Sequence, residues 1–111
     1  MGHGFGASSL MMFPVIEHLL TKGNVVLCEL RAMGLNIKPK NVDIEGVDDI
    51  LDYFLDGFAT ILTFYNVKNV TFVCHSFSAY LTLLFTLRRP ELTIRYIKQL
   101  LMLSPVGLTP K

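Results

Sequence analysis

The stretch Val70 to Leu87, VTFVCHSFSAYLTLLFTL, decides the fold of this 111-residue chain. It carries no formal charge, and it is just long enough to be a candidate for a membrane-spanning helix. However, it opens on β-branched and aromatic residues, only its second half favours a helix, and the polar pair His75 and Ser76 lies near its middle. The stretch therefore predicts a buried strand, a sharp turn and a buried helix.

The composition supports one small folded domain over residues 1–111. The chain is 51% hydrophobic and 17% charged, which excludes intrinsic disorder of the whole chain. The ten Lys and Arg residues are nearly balanced by nine Asp and Glu residues, so the chain lacks the excess of positive charge that is typical of nucleic-acid binding. So much apolar surface on a short chain predicts elements that are buried on both faces, or a chain that buries itself against a partner.

Helix and strand patterns alternate on both sides of this stretch. The patterns predict helices over residues 11–22, 47–65 and 77–89, strands over 24–30, 70–74 and 99–104, and a loop over 31–42. Strands that alternate with helices indicate an α/β fold with a parallel sheet. We expect a partial sheet of about three strands with helices on both faces.

The turn between the predicted strand and helix carries the first candidate site. Cys74, Ser76 and Ser78 follow the pattern small-x-Ser-x-small, which a serine nucleophile on a tight strand-to-helix turn requires. The turn crowds the side chains two residues before and after the serine, so both must be small. The other interpretation is structural, since serine is also an ordinary residue for capping a helix N-terminus.

A second candidate lies ahead of the first predicted helix. His3, Gly4, Phe5 and Gly6 form an HGxG turn, which offers a backbone amide, here that of Phe5, to an oxyanion. The structural alternatives are a tag remnant or a flexible terminus.

The same residues also fit a dinucleotide-binding fingerprint. Residues 2–7, GHGFGA, match G-x-G-x-x-A, and Glu29 ends a predicted strand where a ribose-binding acid would lie. The fingerprint needs a strand directly before it and leaves the Ser76 motif unexplained. A Rossmann-type dinucleotide-binding module therefore remains an alternative.

Together the motifs resemble the α/β-hydrolase superfamily, most closely its branch of lipid hydrolases, lysophospholipid acyltransferases and lipase coactivators. The resemblance covers nearly the whole chain but only the middle part of the family's fold. The segments that carry it are HGFG at 3–6, NVVLCELRAMGLN at 24–36, VTFVCHSFSAYLTLLF at 70–85 and QLLMLSPVGLTP at 99–110.

The resemblance implies a role for each matching residue in acyl transfer from carboxylic esters, with lipid esters as the expected substrate. Ser76 matches the nucleophile, and the amides of Phe5 and Phe77 match the oxyanion hole. The residues that match the supporting turn and the elbow are His3, Gly4, Cys74, His75 and Ser78.

The family's catalytic acid and base usually lie beyond the point where this chain stops. His3 matches the oxyanion turn, His18 is expected on a helix surface, and His75 is expected to point away from the serine. Without a base a serine hydroxyl is a poor nucleophile, so we expect the chain to be inactive by itself. The contrasting hypothesis is a non-catalytic structural or interaction subunit that kept the elbow.

The resemblance also implies a missing strand. In the family's sheet, the strand before the HG turn separates the strand at 24–30 from the elbow strand, and here it would precede Met1. The two present strands would then lie about 9.6 Å apart with unpaired backbone between them. We expect a fragment, or one part of a split protein, completed by the rest of the fold or by another polypeptide.

The remaining expectations concern cofactors, surface contacts and location. Cys28 and Cys74 form no CxxC pair and are expected to be reduced and structural, so neither a metal site nor another cofactor is predicted. A small basic group is a candidate for contact with a lipid surface. The alternative is that these positive charges compensate the partial negative charge at a helix end. We expect an intracellular protein, cytoplasmic or on an organellar or lipid surface. The basic group consists of Arg88, Arg89, Arg95 and Lys98.

Overall fold

The computed structural model describes residues 1–40, 43 and 45–108. A 3₁₀ turn at Ser9–Met12 leads into the first of four α-helices, and two β-strands lie in the second half of the chain. The helices are α1 (Phe13–Leu20), α2 (Val47–Tyr65), α3 (Phe77–Arg88) and α4 (Pro90–Tyr96), and the strands are β1 (Val70–His75) and β2 (Ile97–Leu103).

The sheet is parallel, which confirms the α/β class. β1 and β2 pair with Cys74 opposite Met102 and His75 opposite Leu103, and α3 and α4 connect them. Parallel strands need such a helical crossover, because a short hairpin turn cannot return the chain in the same direction.

The stretch at residues 70–87 forms a strand, a turn and a helix, as its sequence predicts. Phe72 and Cys74 point from β1 into a core that α2 and α3 complete. α2 follows the predicted helical spacing, since Phe54, Phe58 and Leu62 are all buried. No helix in the described part of the chain is long and apolar enough to cross a membrane.

The predicted third strand at residues 24–30 is wrong as a full strand. Only Cys28 forms a β-bridge, and its partner is Gly2, which also bridges Cys74 of β1. Met1 and Gly2 thus enter the space between residues 24–30 and β1, where we expected no chain at all. A segment forms a strand only where a neighbouring backbone pairs with it. Here the neighbouring backbone is that of Met1 and Gly2, and among the described residues Met1 bonds only to Val26 and Cys28.

Other boundaries also differ from the prediction, since β2 is Ile97–Leu103 rather than 99–104 and β1 ends at His75 rather than at residue 74. The helix expected over 11–22 is divided into the 3₁₀ turn and α1, with Pro14 in the first turn of α1. α4 was not predicted, because Pro90 was interpreted only as the end of α3, whereas it also begins α4. Residues 41 and 42 of the expected loop lie outside the described residues.

Arg88 and Arg89 at the end of α3 form ion pairs across to α2. Arg88 contacts Asp48 and Asp52, and Arg89 contacts Asp52 and Asp56. These partly exposed pairs contribute little stability individually, but they give two members of the expected basic group a structural role.

Candidate functional site

Ser76 stands between β1 and α3 in a strained backbone conformation. Its φ is 53° and its ψ is −113°, a region that side-chain-bearing residues rarely adopt. Although Ser76 occupies the N-cap position of α3, its side chain makes no capping hydrogen bond. The hydroxyl of Ser76 therefore does not cap the helix, and it is free to take part in other contacts. The backbone of the same residue is strained.

The small residues on either side of Ser76 are buried in close packing. Ser78 is fully buried, and its hydroxyl accepts a hydrogen bond from the His75 amide and donates to the His75 carbonyl, both at 3.0 Å. The Cys74 thiol lies 3.0 Å from the Thr82 hydroxyl. Larger side chains at 74 or 78 would displace these contacts, as the spacing pattern requires.

Gly2 is a site residue that the sequence analysis missed. A Cβ atom on Gly2 would lie 2.8 Å from the Ser78 Cβ, closer than packed atoms tolerate. The Gly2 amide donates to the Val73 carbonyl at 2.8 Å, and the His75 amide donates to the Gly2 carbonyl at 3.1 Å. In the sequence, Gly2 stood out only as the first glycine of the dinucleotide fingerprint. No local pattern predicts its contact with Ser78, which is 76 residues further along the chain.

The HGxG turn lies directly against the serine. A Cβ atom on Gly4 would lie 3.3 Å from the Ser76 Cβ and 3.3 Å from His75 Nδ1, so glycine permits this close approach. The rings of Phe5 and Phe77 pack edge to face with their centroids 5.8 Å apart. The structure thus brings together the two residues whose amides the resemblance assigns to the oxyanion hole.

Phe77 is the first residue of α3, which leaves its amide without a partner inside the helix. The N-terminus of a helix also carries a partial positive charge, so this position suits an oxyanion. Phe5 is 76% exposed.

His3 holds the turn in place. Its ring is fully buried, its Nε2 accepts a hydrogen bond from the Leu30 amide at 2.9 Å, and its Nδ1 lies 2.8 Å from the Gly4 carbonyl. These partners assign the proton to Nδ1, which can then donate to the Gly4 carbonyl. His3 is therefore a positioning residue for the turn.

Glu29 holds the start of the 3₁₀ turn. Its Oε1 accepts hydrogen bonds from the hydroxyls of Ser8 and Ser9 and from the Ser9 amide. Its Oε2 lies 3.0 Å from His3 Nε2 but receives no hydrogen bond, because that nitrogen already accepts from Leu30. Burial raises the pKa of the Glu29 carboxyl, but the hydrogen bonds from Ser9 and Ser8 outweigh it and hold that pKa below its usual value. This carboxylate is occupied within the protein, which weakens its interpretation as a ribose-binding acid.

No base accompanies Ser76 among the residues that the structure describes. No side chain in these ranges hydrogen-bonds to the Ser76 hydroxyl, His3 is committed to the turn, and His18 is exposed on α1. His75 is partly buried beside Gly4. The arrangement can present a nucleophile and an oxyanion site, but it does not by itself remove the serine proton.

The two cysteines contribute by packing and not by thiol chemistry. Cys28 and Cys74 are free and buried, and burial raises the pKa of both thiols. Both therefore stay protonated and unreactive at neutral pH.

Comparison with known proteins supports a hydrolase-type α/β fold. No family model matches the chain. It is 24% identical over 107 residues (96% of this chain, 25% of the relative) to a probable 1-acylglycerol-3-phosphate O-acyltransferase of Oryza sativa subsp. japonica. It is similar to two strigolactone esterases, with 29% identity over 97 residues (87% of this chain, 36% of the relative) in Arabidopsis thaliana and 30% over 95 residues (86% and 35%) in Pisum sativum. The chain spans about a quarter to a third of the length of these curated relatives.

Proposed function

We propose that this chain carries the nucleophile and the oxyanion turn of a serine hydrolase or acyltransferase that acts on carboxylic esters, with lipid esters as the substrate class. The observation that carries the proposal is the strained backbone of Ser76, whose hydroxyl is free of capping bonds. The names of the curated relatives, an O-acyltransferase and two esterases, support the same reaction class.

The proposed reaction begins with attack of Ser76 Oγ on the ester carbonyl carbon. The hydroxyl proton passes to a general base, and the carbonyl oxygen becomes an oxyanion that accepts hydrogen bonds from the amides of Phe5 and Phe77. Collapse of this intermediate expels the alcohol, which takes the proton, and leaves the acyl group on Ser76. Water or an acceptor alcohol then removes the acyl group by the same steps in reverse.

The described residues place no free histidine at the Ser76 hydroxyl to act as the base in this scheme, since His3 holds the HGxG turn and His18 is exposed on α1. The proposal therefore includes that the chain alone turns over ester slowly or not at all. An imidazole in solution can stand in for the missing side chain, since it supplies the same proton acceptor near neutral pH.

A fluorophosphonate probe with a long alkyl chain tests the proposal by intact mass. We expect slow labelling of the chain, acceleration by added imidazole, and loss of the adduct in Ser76→Ala. Ser104→Ala is the matched control, because Ser104 also has a positive φ and follows the other strand at the same edge of the sheet. A short-chain probe that labels equally fast would remove the preference for lipid esters.

The contrasting function is a non-catalytic interaction subunit. Absence of any Ser76 adduct at every imidazole concentration, in protein with native circular dichroism, would overturn the catalytic proposal and favour that function. Labelling that persists in Ser76→Ala would show that the reactive group is a different one.

A further inference from the structure

The ladder of backbone hydrogen bonds between Gly2 and β1 stops at His75. The Gly2 amide donates to the Val73 carbonyl at 2.8 Å, and the His75 amide donates to the Gly2 carbonyl at 3.1 Å. In a parallel ladder the next bonds would run from the Gly4 amide to the His75 carbonyl and from the Phe77 amide to the Gly4 carbonyl. Neither bond is present in the part of the chain that the structure describes. The HGxG turn therefore leaves the sheet directly beside the candidate nucleophile.

The Ser78 hydroxyl takes the place that the Gly4 amide would have in this ladder. It donates to the His75 carbonyl and accepts from the His75 amide, both at 3.0 Å, so it holds both backbone groups of one residue. Ser78 is fully buried, and the Gly2 backbone packs against its side chain. A carbonyl that is shielded from water and has no partner is costly. The Ser78 hydroxyl therefore compensates for the bond that the ladder lacks.

This arrangement keeps two groups of the candidate site free. A continued ladder would consume the Phe77 amide, whereas here that amide has no backbone partner among the described residues. Ser76 occupies the N-cap position, but the Ser78 hydroxyl fixes the start of α3 instead, by reaching back to His75. Ser76 is thus held at a φ of 53° while its own hydroxyl makes no capping bond.

We propose that Ser78 is a positioning residue for the reaction of Ser76. Its hydroxyl holds His75, and through His75 the strained elbow, in the conformation that leaves the Ser76 hydroxyl and the Phe77 amide free. Ser78 is fully buried, so it acts through the His75 backbone and not by contact with the substrate. This inference rests on the proposed function, because it takes Ser76 as the nucleophile.

Two measurements on the same variant test this role. Ser78→Ala removes the hydroxyl and adds no atom, so we expect a native fold and a fall of about tenfold or more in the rate of fluorophosphonate labelling with imidazole present. The loss should lie in the rate at saturating probe and not in the probe concentration that gives half of that rate. The chemical shifts of the Ser76 Cα and Cβ carbons, which report φ and ψ, should move toward those of an unstrained serine.

Thr82→Val is the matched control. Thr82 is as buried as Ser78 and lies one turn further along α3. Its hydroxyl donates to the Ser78 carbonyl and lies 3.0 Å from the Cys74 thiol, and within the described ranges it has no bond to His75 or Ser76. Thr82→Val should therefore keep the labelling rate and the Ser76 chemical shifts. Ser78→Gly removes the same hydroxyl from the same space, and it gives the same test if Ser78→Ala does not fold.

The outcomes separate this inference from the catalytic proposal. Labelling of Ser78→Ala at the natural rate would overturn the role of Ser78 and leave Ser76 as the nucleophile. Slower labelling with unchanged Ser76 chemical shifts would also overturn it, because the hydroxyl would then not act through the backbone. An equal loss in Thr82→Val would do the same, since any buried hydroxyl would then have the effect. A natural chain that forms no Ser76 adduct would overturn the catalytic proposal, and this role with it.

Discussion

The two halves of the candidate site are held in very different ways. Ser76, the proposed nucleophile, lies between β1 and α3, whose side chains Phe72, Ala79, Leu81 and Phe85 are buried in the core. The HGxG turn, which carries the proposed oxyanion amide, precedes α1, which has no buried residue, and contacts a segment that forms a single β-bridge. The serine is thus placed by the core, whereas the turn is placed by a few hydrogen bonds around Gly2 and His3.

The two regions are expected to differ in their free energy of local unfolding. Regions with few buried apolar contacts have the lowest free energy of local unfolding. We therefore expect the turn to separate from Ser76 without unfolding of the elbow. The following experiments test this contrast, beginning with the largest expected effect.

Truncation of a core ring should separate the two halves most clearly. Phe58 is 3% exposed and packs edge to face on Phe72 and Phe85, so Phe58→Ala should lower the free energy of unfolding by about 3–5 kcal/mol. Phe13 on α1 is 58% exposed, and Phe13→Ala should cost less than about 0.5 kcal/mol. Urea unfolding measures both, and similar losses would contradict the contrast.

A side chain at position 2 should detach the turn. The Cβ atom in Gly2→Ala would lie 2.8 Å from the Ser78 Cβ and 2.9 Å from its hydroxyl, so overpacking should cost about 1–3 kcal/mol. Hydrogen exchange should accelerate at the amides of Cys28 and His75, which bond to Met1 and Gly2. Gly23→Ala is the control, because nothing lies within 4 Å of a Cβ atom there. Unchanged exchange in Gly2→Ala would show that the turn does not depend on this contact.

Relief of strain at the nucleophile should stabilise the elbow. Ser76→Gly should raise the free energy of unfolding by about 1 kcal/mol, because glycine adopts a φ of 53° without steric cost. Ser76→Ala keeps a Cβ atom and should leave stability almost unchanged, since the hydroxyl makes no capping bond. Thermal unfolding compares the two variants. Equal melting temperatures would mean that the backbone stores no strain there.

The smallest effect concerns acid. The folded pKa of Glu29 lies below its unfolded value, so its contribution to stability is present above the unfolded pKa and is lost as pH falls through the folded pKa. Glu29→Gln should flatten the decline of the urea midpoint as the pH falls below about 5. Glu17→Gln on the exposed side of α1 should leave that decline unchanged. A slope that is equal in all three proteins would show that Glu29 makes no pH-dependent contribution.

The sequence predicted the elbow half well and the turn half less well. The strand and helix around Ser76, and the bounds of α2, follow from patterns within single segments. The strand expected at 24–30 is not a strand, because pairing is a tertiary contact and only Cys28 forms a β-bridge, with Gly2. Pro90 follows the end of α3 and is also the first residue of α4, and the sequence analysis predicted only the end of α3.

By itself the sequence determined the class of fold and the position of the candidate nucleophile, because hydrophobic periodicity and the small residues around Ser76 act locally. The packing of Gly2 against Ser78 and the hydrogen bond from the Leu30 amide to His3 arise only when the chain is folded. These contacts join residues that are far apart in the chain, so they depend on how separate segments pack together. A pattern within one segment does not predict that packing.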